Sequence, residues 1–146
     1  MKSLRTLRTR AGVSAAAVLL SAAGIAMASA TPAAAYAGYC NGQASKYLTL
    51  TLVAKLPAYN GNIDCTMSQG AQSSAVSALQ TTLNECYGRS LDVDGDFGSL
   101  TKTALKYAQG VEKLTYVDGI YGSETRNGIG WYFDNANGAG GTCAYL

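Results

Sequence analysis

The apolar positions of the chain change period twice along its length. Leu48, Leu50 and Leu52 alternate with Tyr47, Thr49 and Thr51, the period-two pattern of a half-buried strand. Asn60-Gly61 follows as a two-residue hairpin signal, so a return strand is expected to run toward Cys65. From residue 73 the spacing becomes helical. Val76, Leu79, Leu83 and Cys86 recur three or four apart, which predicts one face of a helix over 73–87. Ser73 or Ser74 suits its N-cap, and Gly88 suits a left-handed C-cap. A second helix is predicted over 100–109, with Ala104, Leu105 and Ala108 inward. A third is predicted over 124–133, although Gly128 and Gly130 each cost about 1 kcal/mol relative to Ala. Residues 135–141 are rich in Gly and Asn and read as a loop up to Cys143.

Between these helices lies an internal repeat. Val93-Asp94-Gly95-Asp96-Phe97-Gly98-Ser99-Leu100-Thr101 returns 24 residues later as Val117-Asp118-Gly119-Ile120-Tyr121-Gly122-Ser123-Glu124-Thr125, identical at six of nine positions. Repetition at a fixed period is an architectural signal. Asp-Gly is a turn dipeptide, because Gly tolerates positive φ and Asp bonds its own downstream backbone. Ser99 and Ser123 stand where helix N-caps are expected. Phe97 and Tyr121 read as core plugs, and Asp94 and Asp118 as turn-makers.

The N-terminus changes the charge balance. Lys2, Arg5, Arg8 and Arg10 precede an apolar run and a small-residue stretch, Ala30-Thr31-Pro32-Ala33-Ala34-Ala35. This is the layout of a secretory leader, with cleavage after Ala35 or Ala37. The apolar run, broken by Ser21 and Gly24, falls short of the ~20 residues of a membrane span. Without residues 1–35 the chain keeps seven basic and nine acidic residues, a net charge of −2. No polybasic surface remains, which argues against nucleic acid as a partner.

All four cysteines (Cys40, Cys65, Cys86, Cys143) follow the leader. In a short exported chain an even count reads as two disulfides. A zinc site would need paired C-x-x-C spacing or histidines, and the chain has no histidine. Of the three possible connectivities, Cys40–Cys65 with Cys86–Cys143 is the most economical, since one pair brackets the arm and the other the repeats.

The series Val76…Leu79-Gln80…Leu83, Gly88, Leu91 to Gly98, Thr101, Ala104-Leu105, Gln109, Val117 to Gly122 and Thr125 resembles the peptidoglycan-binding domain of bacterial cell-wall hydrolases. That family's pattern is a V-x-x-L-Q-x-x-L helix followed by two D-G-x-[FY]-G-x-x-T loops, each opening a short helix. The resemblance implies a mainly α, compact three-helix fold over 71–133. It would be preceded by an extended or hairpin arm at 36–70 and followed by a Gly-rich tail at 134–146. It further implies non-covalent binding of peptidoglycan, by glycan or stem peptide, with no cofactor. Two departures stand out: Ser99 and Ser123 occupy a position that is often Pro in the family, and the third helix carries two glycines.

No catalytic constellation competes with this reading. Lacking histidine, the chain has no His-based acid–base or nucleophile pair. Asp92, Asp94 and Asp96 alternate in one short loop, which suits a solvated turn better than a pair of glycosidase carboxylates across a cleft. As a calcium loop the cluster is out of register, with Thr103 where a bidentate Glu belongs. The candidate ligand contacts are Tyr87, Tyr107, Trp131 and Tyr132 as aromatic surface, and Lys102 and Arg126 as partners for stem carboxylates. The expected protein is a non-catalytic, exported, wall-associated monomer without a membrane contact after cleavage. A cell-wall hydrolase acting in trans is an open partner. The competing class is a small secreted interaction protein, such as a protease inhibitor presenting a loop around Pro57–Asn62.

Overall fold

The computed structural model describes residues 38–146, so the leader expected over 1–35 lies outside the described residues. Two strands come first, β1 (Gly42–Tyr47) and β2 (Leu52–Ala58). Three helices follow, α1 (Ser74–Tyr87), α2 (Ser99–Val111) and α3 (Ser123–Gly128). The chain closes with β3 (Trp131–Asn135) and β4 (Thr142–Ala144). The strands form one antiparallel sheet in the order β1-β2-β3-β4. The fold is therefore mixed α/β, and the mainly α expectation is corrected.

The correction has a local cause at residues 128–135. A Cβ on Gly128 would come within 2.3 Å of the Leu114 Cδ2, so a larger residue there would require Leu114 to shift. Ile129 then takes an extended conformation and α3 stops after six residues. Beyond it Trp131 and Phe133 are buried, whereas Tyr132 is half-buried and Asp134 exposed, the alternation of a strand. Period two had been hidden inside a stretch of mixed aromatics.

A second correction falls in the arm. The alternating Leu/Thr run is not a strand with a leucine face. Residues 48–51 are the turn joining β1 to β2, and Leu50 is fully exposed at its tip. The Thr49 hydroxyl oxygen accepts hydrogen bonds from the backbone N–H of Thr51 and Leu52, the local bonding by which Thr diverts a chain from a ladder. Asn60-Gly61 does form the expected tight turn. Both residues have positive φ, 49° and 85°, and Tyr59 and Asn62 exchange backbone hydrogen bonds of 2.8 and 2.9 Å. Pro57 and Ala58, expected in an exposed loop, are buried in the sheet.

The helices start one residue before or after their predicted positions. Gly88 ends α1 in the left-handed conformation, its N–H bonded to the Leu83 carbonyl. Ser99 and Ser123 are the first helical residues and not caps; Gly98 and Gly122 hold the cap positions without a side-chain bond. One core joins β2, β3, α1, α2 and the repeat loops, with Trp131, Tyr121, Phe97, Phe133, Leu56 and Met67 fully buried. The segment after Cys65 stitches the two repeats together. Met67 exchanges backbone hydrogen bonds with Tyr121, and Phe97 donates to the Ala71 carbonyl while accepting from Gly70.

The disulfides are Cys40–Cys65 and Cys86–Cys143, the most economical of the three pairings. The first spans 25 residues and fastens the arm to the start of the stitching segment. The second spans 57 and ties the end of α1 to β4. Loop-closure entropy gives roughly 3.5 kcal/mol for the shorter loop and roughly 4 kcal/mol for the longer. The double replacement Cys86→Ser/Cys143→Ser is expected to lower stability by at least as much as Cys40→Ser/Cys65→Ser. Urea unfolding monitored by tryptophan fluorescence measures both.

Candidate functional site

The shape of the helical face is set by two buried amides. Gln80 on α1 is turned into the first repeat and Gln109 on α2 into the second. Each oxygen accepts from the glycine N–H of its Asp-Gly turn, Gly95 at 3.0 Å and Gly119 at 2.9 Å. Each nitrogen donates to the turn aspartate, to a backbone carbonyl and to a threonine. For Gln80 these are Asp94 at 2.8 Å, the Asp96 carbonyl at 3.0 Å and Thr101 at 3.2 Å. For Gln109 they are Asp118 at 3.4 Å, the Ile120 carbonyl at 2.9 Å and Thr125 at 3.0 Å. Only an amide presents a donor and an acceptor in this fork. The N–H of glycine fixes which end is oxygen, and the carbonyls fix which end is nitrogen.

The glycines are required here. Gly95 and Gly119 have φ of 77° and 73°. A Cβ on Gly119 would sit 2.7 Å from the Lys102 Cγ. Asp94 and Asp118 also accept the N–H two residues on, from Asp96 and Ile120, which closes the turn. The Asp94 carboxyl is held below its ordinary value of 3.8, first by the Asp96 backbone N–H and then by the Gln80 amide.

Above the first clamp runs an open groove in two parts that share Leu91 and Leu100 as a common wall. One part, of about 180 Å³, is edged by Asp92, Asp94 and Asp96. The other, of about 320 Å³, is edged by Arg89 and Thr103. The Arg89 guanidinium lies 3.9 Å from the centre of the Tyr107 ring, a cation–π contact, and its Nε–H donates to the Tyr87 carbonyl. The groove is thus cationic at one end, anionic at the other and apolar between. A counterpart of the anionic part, of about 240 Å³, lies at the second repeat, lined by Asp118, Tyr116 and Glu124.

The expected ligand contacts are scattered by the fold. Trp131 is fully buried, its indole N–H donating to the Arg126 carbonyl at 2.8 Å and its ring edge-on to Tyr121. It belongs to the core, because a large apolar ring releases most free energy when fully covered. Tyr87 is also buried. Its hydroxyl donates to Glu112 and accepts from the Gly130 N–H, both at 2.7 Å, and burial followed by the Glu112 contact pushes its pKa well up. Arg126 is buried in an ion pair with Asp64 and a hydrogen bond to the Ile63 carbonyl. These three are corrected from surface to structure. Lys102 is half-buried with its stem over Gly119. Tyr107 and Tyr132 reach solvent, Tyr107 beside the groove and Tyr132 on the sheet.

Arg89, Leu91 and Leu100 escaped the sequence reading. One signal was available: Leu100, Ala104, Tyr107 and Val111 recur at i, i+4, i+7 and i+11 on α2, and Leu100, Tyr107 and Val111 are exposed. This is a second stripe, and Ala104, inward as expected, joins it to the buried face.

Removing the clamp should unfold the turn it holds. Gln80→Ala leaves the buried Gly95 N–H unpaired, while the Asp96 carbonyl keeps the Gly98 N–H and the Thr101 hydroxyl, so a loss of about 1–3 kcal/mol is expected in chemical denaturation. Gln109→Ala should behave alike. The depressed Asp94 carboxyl contributes stability that is present above its unfolded value and is lost as pH falls through its folded one. Thermal melts from pH 6 to 2 should therefore show an acid-side loss that is reduced in Asp94→Asn. An unchanged acid limb in that variant would remove Asp94 from the account.

Comparison with curated proteins and with solved structures finds no match. The family model described as "Putative peptidoglycan binding domain" matches residues 72–128, from two residues before α1 to the last of α3. Both clamps and the groove fall inside that span, so this segment of the chain is similar to the peptidoglycan-binding family.

Proposed function

We infer that the protein is a non-catalytic exported protein that binds cell-wall peptidoglycan through the groove between the end of α1 and the start of α2. The family match supplies the ligand class. The observation that carries the reading is the groove's bipolar lining, with Arg89 at one end, Asp92 and Asp96 at the other, and Leu91 and Leu100 between. Stem peptides carry both carboxylates and amines on short apolar side chains, and glycans offer rings for contact with Leu100. Charge-assisted hydrogen bonds to such groups are the stronger kind. Arg89 is oriented in advance by its stack on Tyr107 and its bond to Tyr87, which lowers the ordering cost of binding.

Two further observations favour this reading. Two disulfides fit an oxidising, extracellular location, in accord with the leader-like N-terminus. Asp94, the central carboxylate of the loop, is committed to Gln80 and the Asp96 amide, so its role is to hold the turn rather than transfer a proton.

The test is co-sedimentation of the oxidised chain with purified sacculi, with cellulose and chitin as controls. Selective pelleting is expected. Arg89→Ala and Leu100→Asp should each lower retention about tenfold, equivalent to ~1.4 kcal/mol, with melting curves within a few degrees of the parent. Trp131→Ala should instead cost about 3–5 kcal/mol of stability. Full retention by both groove variants would overturn the assignment of the site. Failure of the folded parent to pellet would overturn wall binding itself.

A further inference from the structure

A second cleft, of about 180 Å³, opens where the sheet meets α1. Its lining differs from that of the groove: β1, β2 and β3 supply Gln43, Val53, Lys55, Tyr132 and Asp134, and α1 supplies Ser77 and Thr81 among others. All of the strand residues stand outside the family-matched segment 72–128. The cleft is thus a product of the sheet that this chain adds to the domain.

Its aromatic wall is built with unusual care. Tyr132 pairs across the sheet with Cys143, and Cys143 is bonded to Cys86 on α1. On the approach to that strand, a Cβ on Gly141 would lie 2.4 Å from the Tyr132 Cζ and 2.5 Å from the Phe133 carbonyl oxygen. The chain therefore passes flat against the tyrosine ring, and only glycine fits. Glycine tail, disulfide and strand pairing together fix one ring in place beside the cleft. A ring ordered in advance gives contact area at little entropic cost.

We propose that this cleft is a saccharide subsite that takes a single neutral sugar ring against Tyr132. The size argues for one ring, since 180 Å³ is below the ~300–1,000 Å³ of sites for larger ligands. The lining argues for a sugar. Val53, Ala78 and the Tyr132 ring offer apolar contact for the C–H face, while Gln43, Ser77 and Thr81 offer amide and hydroxyl groups for sugar hydroxyls. Lys55 is balanced by Asp134 and already donates to Ser45 at 2.8 Å, so no net charge selects an anion.

The experiment is an amide-resolved NMR titration of the oxidised chain with di-N-acetylchitobiose and, separately, with cellobiose. Saturable shifts at Gln43, Ser77, Thr81 and Tyr132 are expected with at least one of the two, and the pair distinguishes an amino sugar from plain glucose. Thr81→Arg, which fills the mouth from an accessible helical position, and Tyr132→Leu should each weaken binding at least tenfold. Both should keep sacculus retention by the Arg89 groove, which separates this proposal from the one above. Shifts that are absent with both sugars, that fall only around Arg89 and Leu100, or that persist unchanged in both variants overturn it.

Discussion

Everything on the helical face hangs from two buried glutamine amides. A D-G-x-[FY]-G loop is a poor structure by itself, since its inward backbone groups need partners beyond those that the 67–73 segment supplies. Gln80 and Gln109 answer this by placing an acceptor on the glycine N–H and a donor on the carbonyl two places after the aspartate's own turn begins. Buried, unpaired polar groups are costly, so each loop is stabilised by the helix that carries its glutamine. The order of elements follows from this. α1 clamps loop one, loop one opens α2, α2 clamps loop two, and loop two opens α3. The chain is a relay in which each helix is needed to shape the next turn.

The relay leaves a gap that the sheet fills. Phe97 and Tyr121 plug the core from the loops, but three short helices cannot cover those rings on every side. Leu56 from β2 and Trp131 and Phe133 from β3 close the remaining face. The two disulfides act where this second layer is weakest, at the first residues of the arm and at a three-residue final strand. A strand of that length gains little from its ladder alone, so its position depends on Cys143.

The repeat, the helix spanning 73–87, the Asn60-Gly61 turn and the family resemblance were legible because each rests on local rules: periodicity, turn chemistry and a fixed order of motifs. The β3–β4 pair was not. Trp131-Tyr132-Phe133 is apolar at every position, which hides period two, and β3 is defined by its pairing with β2 and β4, which are tertiary contacts. Thr49-Leu50-Thr51 shows the converse failure. Its alternation imitates a strand while the threonine hydroxyl bends it into a turn. Of the candidate site, Tyr107 was identified by type, but Arg89 and Leu100 were not, because their partnership exists only once α2 crosses the end of α1.

Burial decides which aromatic residues remain for recognition, and the outcome is economical. Trp131, Tyr87, Tyr121 and Phe97 are drawn inward, each satisfying a packing demand of the clamps or of the sheet. What remains outside is not free-standing. Tyr107 holds Arg89 by its face, and Tyr132 is itself held by Gly141. Both tyrosines are therefore kept in fixed positions by the same features that close the fold, the turn after α1 in one case and the Cys143 strand in the other. A small domain with a shallow surface gains affinity mainly by such ordering in advance. That is the physical reason the stabilising devices and the exposed rings of this protein lie side by side.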